Sequence, residues 1–123
     1  MTALPARFSA WFEDRGWAPH AHQMELLARA NDPATLLIAP TGGGKTLAGF
    51  LPSLIELSAA PGQGLHTLYV SPLKALAADI RRNLQAPAEE LDLGIRIEDR
   101  TGDTKQSQRH RQRTAPPAVL LTT

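Results

Sequence analysis

The sequence has no cysteine, and this absence removes several classes of function at once. Disulfide-stapled secreted scaffolds, cysteine zinc sites and thiol catalysis are excluded, and a reducing cytoplasm is the compartment that fits. Long apolar stretches are also missing, because Pro52 and Glu56 interrupt the best one, at residues 47–57. A helix that spans a membrane needs roughly 20 apolar residues, so we expect no such helix here.

Neither sign of charge is in excess, because 13 lysines and arginines face 12 aspartates and glutamates and leave a formal net charge of +1. This balance excludes a histone-like polyelectrolyte but permits local basic patches. The first residues contain no basic segment followed by an apolar one, so we expect no signal peptide. Hydrophobic residues make up 42% of the 123 residues, which is enough for a folded core.

Short apolar runs alternate with amphipathic patterns over most of the sequence. Continuous apolar runs predict buried strands, and apolar residues three and four apart predict helices. The predicted strands lie at residues 36–39, 67–70, 95–98 and 118–123, and the predicted helices at residues 5–14, 19–30, 46–58 and 73–84. This alternation predicts an α/β fold with a parallel sheet covered by helices. Because the last strand would normally continue into a covering helix, we expect a part of a larger domain.

Residues 39–46 read Ala-Pro-Thr-Gly-Gly-Gly-Lys-Thr and carry the strongest functional signal. They follow a predicted strand and precede a predicted helix, which is where a phosphate-binding P-loop lies. The glycines let the backbone turn its N–H groups towards phosphate oxygens, and the helix N-terminus adds partial positive charge. The general pattern begins with glycine, whereas this sequence has Ala39. A purely structural glycine-rich turn is the alternative.

ATP and Mg²⁺ are the ligands that this P-loop predicts. Lys45 would reach the β- and γ-phosphates and the Thr46 hydroxyl would hold Mg²⁺, so these two are the candidate catalytic residues. The predicted phosphate-binding residues are Thr41, Gly42, Gly43, Gly44, Lys45 and Thr46.

Five segments, taken in order, resemble the motifs of superfamily 2 helicases. Residues 16–23, with Gly-Trp-Ala-Pro and His-Gln, resemble the Q motif, and residues 39–46 resemble motif I, in which a first alanine is usual. Residues 71–76 (Ser-Pro-Leu-Lys-Ala-Leu) resemble motif Ia. Residues 100–104 (Arg-Thr-Gly-Asp-Thr) resemble the Thr-Gly-Asp element, and residues 120–123 (Leu-Leu-Thr-Thr) resemble a motif that continues with Pro-Glu. The resemblance is to the Lhr-type DExH-box helicases, in particular the branch called ligase-associated.

The resemblance implies a P-loop NTPase with a partial RecA-like ATP-binding domain at residues 34–123, truncated before the DExH motif. An N-terminal helical segment with the Q motif would occupy residues 1–33. It further implies ATP-dependent translocation on single-stranded DNA, DNA repair, and a link to a DNA ligase. The catalytic carboxylates and arginine fingers would lie beyond Thr123, so we expect these residues alone not to hydrolyse ATP. The alternatives are a P-loop kinase or NTPase that does not act on nucleic acid, and a fragment that only binds nucleotide.

Gln23, within the segment that resembles the Q motif, is the candidate adenine-binding residue. A side-chain amide offers both a donor and an acceptor to the edge of the base. The alternative is an exposed helix residue. Phe8, Trp11, Phe12 or Trp17 would stack on the ring, and we favour Phe8; the alternative for these aromatic residues is packing between helices.

A phosphate track for one nucleic-acid strand is predicted where two strands of the sheet end. Its residues are Ser71, Pro72, Lys74, Thr101 and Gly102. Hydroxyls, backbone N–H groups and an ammonium grip phosphates without reading the bases. The alternatives are an N-cap at Ser71, a solvated Lys74, and a simple turn in which Asp103 or Thr104 caps the next helix.

Two other charged features receive structural interpretations. Lys105, Arg109, Arg111 and Arg113 form a basic run, which we interpret as a solvated helix face. Glu98 and Asp99 are adjacent carboxylates, but their order is reversed relative to a catalytic pair and the run before them is not buried and apolar. We therefore do not expect Glu98 and Asp99 to activate water.

Overall fold

Three helices come first in the computed structural model, which describes residues 3–39, 45–60, 62 and 64–123, and three strands then alternate with two further helices. The helices are α1 (Ala6–Asp14), α2 (Ala21–Ala28), α3 (Lys45–Ala59), α4 (Lys74–Glu90) and α5 (Gln106–Thr114). The strands are β1 (Thr67–Val70), β2 (Ile97–Arg100) and β3 (Val119–Thr122). The chain forms two compact units, Met1–Ala59 with α1 to α3, and Ala60–Thr123 with the other elements.

Helix α1 places its aromatic residues on one face. Phe8, Trp11 and Phe12 are buried, and their spacing of three and four residues is the one that predicted the helix. The helix ends where Gly16 takes a φ of +71°. The Trp17 N–H then donates to the Phe12 carbonyl at 2.9 Å. This bond is typical of a Schellman helix end, so the predicted stop at Gly16 is confirmed.

Helices α2 and α3 pack against each other in the first unit. Helix α3 begins at Lys45, one residue before the predicted start, and Pro52 lies inside it. Its buried residues are Ala48, Phe50, Leu51, Leu54 and Leu57. The apolar stripe is therefore covered, while the first two residues of the helix stay exposed.

Residues 36–39 do not form the strand that their apolar character predicted. The backbone of residues 34–39 has no regular structure, and Leu36 and Ile38 are 83% and 85% exposed. A parallel strand needs neighbouring strands for its N–H and carbonyl groups. Within the described part of the chain, the sheet contains only β1, β3 and β2, and none of them pairs with this segment. The apolar composition predicted that residues 36–39 are buried, but composition does not specify which strand would pair with them.

The second unit is built around a parallel sheet in which β3 lies between β1 and β2. Val70 and Arg100, the last residues of the outer strands, are both in register with Thr122 of β3, so the three strands end at the same level. Val119 and Leu121 of β3 are fully buried, and α4 packs against β2 and β3. A parallel sheet with helices confirms the predicted α/β class.

The connection between α4 and β2 explains why β2 starts two residues later than predicted. Helix α4 continues past its predicted end to Glu90. The chain then turns through Asp92 and Gly94, which have φ values of +52° and +65°. Residues 95 and 96, which the alternating pattern assigned to a strand, follow this turn without regular structure, and β2 occupies Ile97–Arg100.

Helix α4 is 17 residues long. Among the residues that the structure describes, no helix is both long enough and apolar enough to cross a membrane.

Candidate nucleotide and nucleic-acid sites

Lys45 and Thr46 form the start of α3, where the sequence predicts phosphate contact. Both residues are exposed. The N-terminus of a helix carries partial positive charge and N–H groups without an intrahelical partner, and the ammonium of Lys45 adds a full charge. This end of α3 is therefore chemically suited to bind an anion. The other predicted phosphate-binding residues, Thr41, Gly42, Gly43 and Gly44, lie outside the described residues.

Gln23 is buried, with 2% of its surface exposed, so it is not the exposed helix residue that was the alternative to an adenine contact. Its Oε1 accepts a hydrogen bond from the backbone N–H of His20, the N-cap of α2, at 2.8 Å. This bond satisfies one of the amides that a helix start leaves without a partner. A side-chain amide can make up to four hydrogen bonds, so this contact does not by itself exclude adenine.

The four aromatic residues near the N-terminus divide into a buried set and one exposed ring. Phe8, Trp11 and Phe12 are 1%, 8% and 2% exposed, whereas Trp17 is 50% exposed. Stacking of a base on Phe8, the ring that the sequence favoured, is incompatible with this burial. The Arg15 guanidinium lies 5.2 Å from the centroid of the Trp17 ring, which is cation–π geometry. Trp17 is the ring that presents surface to a ligand.

The two segments predicted to contact phosphates lie at one edge of the sheet. Ser71 follows β1 and Thr101 follows β2, with β3 between these strands. The Ser71 N–H donates to the Thr122 carbonyl at 2.9 Å, and the Thr122 hydroxyl donates to the Arg100 carbonyl at 2.6 Å. These bonds tie the three strand ends together, so the sheet fixes the positions of both segments.

Ser71 lies at this edge, but its hydroxyl is directed into its own turn. The residue is 2% exposed, and its Oγ lies 3.4 Å from the Leu73 nitrogen and 3.5 Å from the Leu73 carbonyl oxygen. Leu73, and not Ser71, is the N-cap of α4. Pro72 and Lys74 are exposed. Lys74 is therefore accessible from the solvent, whereas a ligand has to open the turn to reach the Ser71 hydroxyl.

Residues 101–104 form a turn that satisfies hydrogen bonds internally. The Thr101 N–H donates to the Thr104 hydroxyl at 2.9 Å, and the Asp103 N–H donates to the Thr101 hydroxyl at 3.2 Å. Thr101 is 8% exposed, whereas Gly102 is exposed. A Cβ atom added at Gly102 would meet no protein atom within 4 Å. The backbone at Gly102 is therefore open to close approach by a ligand.

An ion pair joins the two segments. Lys74 Nζ lies 3.2 Å from Asp103 Oδ2, and the two side chains are 57% and 79% exposed. From the sequence, Lys74 was predicted to lie on the phosphate track and Asp103 only to form a turn or cap a helix, so this contact was not predicted. A lysine and an aspartate 29 positions apart have no local signal, and only the parallel topology brings them together.

The other acidic candidates make structural contacts. Glu98 is 8% exposed and accepts hydrogen bonds from Arg96 at 3.1 Å and from Gln112 at 3.2 Å. Asp99 pairs with Arg81 at 3.5 Å. Both carboxylates lie within β2 rather than beyond its end. Their contacts are to basic and amide side chains of the protein, which supports a structural role for both carboxylates.

Helix α5 and its N-cap carry the predicted basic run. Lys105, Arg111 and Arg113 are exposed, as a solvated face requires. Arg109 is half-buried, and its guanidinium donates to the Thr101 carbonyl. Arg109 therefore holds the turn at residues 101–104, and no sequence signal separates it from its solvated neighbours.

Known proteins match this chain over nearly its whole length. The family model described as DEAD/DEAH box helicase matches residues 20–123. The chain belongs to the DEAD/DEAH box helicase family. This helicase chain is 43% identical over 135 residues to the Lhr helicase/probable uracil glycosylase of Mycolicibacterium smegmatis, and 38% identical over 144 residues to the Lhr helicase/uracil glycosylase of Escherichia coli. The alignments cover 95% and 98% of this chain but only 9% of each relative.

Solved helicase structures share the fold of this DEAD/DEAH box chain. The Mycobacterium smegmatis helicase Lhr, described as bound to ssDNA and AMP-PNP, matches with a TM-score of 0.87 and 40% identity over 97% of this chain and 17% of that chain. The DUF1998 helicase MrfA matches with a TM-score of 0.84 and 27% identity over 98% of this chain and 19% of that chain. The predicted RecA-like fold and the resemblance to Lhr helicases are confirmed. The expected boundary between residues 33 and 34 stays a prediction.

Proposed function

We propose that the protein carrying this chain is an ATP-driven motor that moves along single-stranded DNA. The observation that carries the proposal is the carboxyl edge of the sheet, where Lys74 and the turn at residues 101–104 meet through a contact of 3.2 Å. A helicase described as bound to ssDNA and AMP-PNP is 40% identical to this chain and supports the same assignment. Because the chain spans only 9% of the Mycolicibacterium smegmatis and Escherichia coli relatives, the motor activity is proposed for the whole protein.

ATP is proposed to bind at the start of α3. Lys45 and Thr46 are both exposed there and accessible to a triphosphate. Lys45 would compensate the charge of the β- and γ-phosphates, residues 41–44 would offer backbone N–H groups, and the Thr46 hydroxyl would hold Mg²⁺. Mg²⁺ held by the Thr46 hydroxyl would supply positive charge to the triphosphate. Water activation is not assigned to the described residues, because Glu98 and Asp99 are engaged elsewhere.

Gln23 and Trp17 are proposed to recognise the base of ATP. The bond from the His20 N–H orients the buried amide of Gln23, and Trp17 offers a half-exposed ring for stacking. Adenine and guanine present opposite donor and acceptor positions to such an amide. An oriented amide therefore favours ATP, since the wrong base leaves buried polar groups unpaired.

Lys74 and Gly102 are proposed as the principal contacts to the phosphates of the strand, with Pro72 and Thr101 beside them. An ammonium and a backbone N–H bind phosphates without reading bases, which suits a motor that steps over any sequence. Ser71 contributes by setting the turn that presents Pro72 and Lys74, because its hydroxyl contacts the backbone of that turn. The ligase-associated branch adds DNA repair, a DNA ligase as partner and a cytoplasmic location to the proposal, on the resemblance alone.

The proposal is tested by measuring how the intact protein that carries this chain binds labelled oligothymidylate over a series of salt concentrations. We expect Lys74→Ala to weaken binding and to reduce the slope of log K against log salt by about 0.7, which is one phosphate contact with a single strand. Arg113→Ala is the matched control, because it also removes one exposed positive charge. Arg113 lies in the last turn of α5, whereas the turn at residues 101–104 precedes the first turn of that helix. If the two variants behave alike, Lys74 is a solvated lysine. If single-stranded DNA does not raise the rate of ATP hydrolysis, the protein is not the proposed motor.

A further inference from the structure

The ion pair between Lys74 and Asp103 places a negative charge where the proposed strand binds. We infer that the Asp103 carboxylate competes with a nucleic-acid phosphate for the Lys74 ammonium and thereby lowers the affinity of this edge for single-stranded DNA. The inference rests on the proposed function, because it assigns an antagonist to the lysine of the same site. Asp103 would act as an internal substitute for a phosphate in the unbound protein.

The topology explains why the pair stands in the path of a bound strand. Lys74 follows β1 and Asp103 follows β2, and these strands flank β3 in a common register. Neighbouring strands lie about 4.8 Å apart, so β1 and β2 are roughly 10 Å apart. The two side chains therefore bridge the end of the central strand. A phosphate that approaches Lys74 across this edge meets an ammonium that already has a counter-charge.

The backbone position of Asp103 is set by hydrogen bonds within its turn and from α5. The Asp103 N–H donates to the Thr101 hydroxyl at 3.2 Å, and the Arg109 guanidinium donates to the Thr101 carbonyl. These bonds hold the turn that carries Asp103. The two carboxylates of β2 have partners of their own, since Glu98 contacts Arg96 and Gln112 and Asp99 pairs with Arg81. Asp103 is therefore the carboxylate that acts on Lys74.

The exposure of the pair makes it easy to exchange. The side chains are 57% and 79% exposed, so water and salt screen their attraction. An incoming phosphate can take over the ammonium, and the Asp103 carboxylate then returns to water with a cation from the solution. Binding exchanges one ion pair for another, and a contact of this kind is readily released. A motor that steps along a strand has to make and break such contacts in every cycle.

The exchange has a signature in the salt dependence. A lysine that contacts a phosphate releases cations from the nucleic acid, which gives the binding constant its slope against salt. When Asp103 is freed it takes up a cation, and this uptake offsets part of that release. Removing the charge of Asp103 should therefore tighten binding at low salt and also steepen the salt dependence.

The experiment measures binding of labelled oligothymidylate to the intact protein as Asp103→Asn, Lys74→Ala and the double variant, each over a salt series. Asp103→Asn keeps the size of the side chain and the backbone N–H, so the turn is retained. We expect two- to fivefold tighter binding at low salt, the range of an exposed ion pair, with a slope steeper by at most about 0.7. In the Lys74→Ala background, the same substitution should have little effect, because its target is gone.

Asp79→Asn is the matched control, because Asp79 also forms an exposed ion pair, but its partner is Arg82 and not Lys74. Equal tightening by Asp79→Asn and Asp103→Asn would mean that net charge alone acts, and the inference would be wrong. It would also be wrong if Lys74→Ala weakens binding while Asp103→Asn changes nothing, an outcome that leaves the proposed function intact. If Lys74→Ala itself has no effect, the role proposed for Lys74 fails together with the inference. Asp103→Ser, which removes the charge with a smaller side chain, checks that the effect does not depend on the asparagine.

Discussion

The two candidate sites differ in how far their polar groups are already satisfied within the protein. At the start of α3, Lys45 and Thr46 are exposed at a helix N-terminus. At the carboxyl edge of the sheet, Lys74 is paired with Asp103 and the Ser71 hydroxyl contacts its own turn. Groups that contact only water give up water for a ligand, whereas groups paired within the protein also give up that partner. The comparison predicts a firmly held triphosphate and a loosely held strand, which is the combination that a translocating motor needs.

The largest expected effect tests the exposed site. Lys45→Ala should lower the rate of ATP hydrolysis by the intact protein at least about 100-fold, because the charge on the transferred phosphate loses its fixed partner in the transition state. Phosphate release with saturating single-stranded DNA is the measurement. Lys105→Ala is the control, since Lys105 is another exposed lysine next to a helix start, at the N-cap of α5.

If Lys45→Ala hydrolyses ATP at a rate within a few-fold of wild type, the start of α3 is an ordinary helix end. The proposed contrast between the two sites would then be wrong. DNA binding without nucleotide should be similar in this variant and in the wild type. A loss of DNA binding would mean that the substitution had damaged the fold or that the two sites are not separate.

A smaller effect is expected at Gln23, where a structural contact and a proposed ligand contact share one side chain. Gln23→Ala removes the acceptor for the His20 N–H and should destabilise the protein by about 1 kcal/mol, a typical loss for a helix cap. It should also reduce the preference for ATP over GTP by roughly tenfold, which corresponds to one buried hydrogen bond to the base. A thermal melt and the rates with the two nucleotides measure these effects separately.

Gln23→Glu separates the two roles, because glutamate keeps an acceptor for the helix start but has no amide hydrogens to donate. We expect a melting temperature above that of Gln23→Ala together with a lowered preference for ATP. If both variants retain the wild-type preference, Gln23 caps the helix and does not read the base.

The fold was largely predictable because most of its elements are determined by local patterns. The apolar spacing of α1, the stop at Gly16 and the strand at residues 67–70 all follow from neighbouring residues. The prediction of a strand at residues 36–39 was wrong, because a strand requires a neighbouring strand that composition does not specify. The two candidate sites differ in the same way. The start of α3 at Lys45 was predictable because it belongs to a motif of contiguous residues.

Two of the contacts that the sequence did not predict join separate segments of the chain. Asp103 reaches Lys74 across the end of β3, and Arg109 reaches back to the Thr101 carbonyl. The preference for Phe8 as the ring that stacks on adenine was wrong for a related reason. Residue type does not determine which aromatic side chains the packing buries. Residue type and motif identify which groups are available, and the topology decides which of them are already occupied.

The smallest expected effect concerns Gly102, the exposed backbone of an otherwise satisfied turn. An added Cβ meets no protein atom within 4 Å, so Gly102→Ala should leave the melting temperature nearly unchanged. The same methyl group would stand between the backbone N–H and an approaching phosphate, because close contact to a backbone needs glycine. Loss of one such hydrogen bond should weaken binding of single-stranded DNA by about two- to tenfold.

Gly49→Ala is the matched control, since it also adds a methyl group in open space but lies inside α3. A loss of affinity confined to Gly102→Ala would show that phosphate contacts the turn, whereas equal affinities in the two variants would leave Lys74 as the contact at this edge and remove Gly102 from the proposed track.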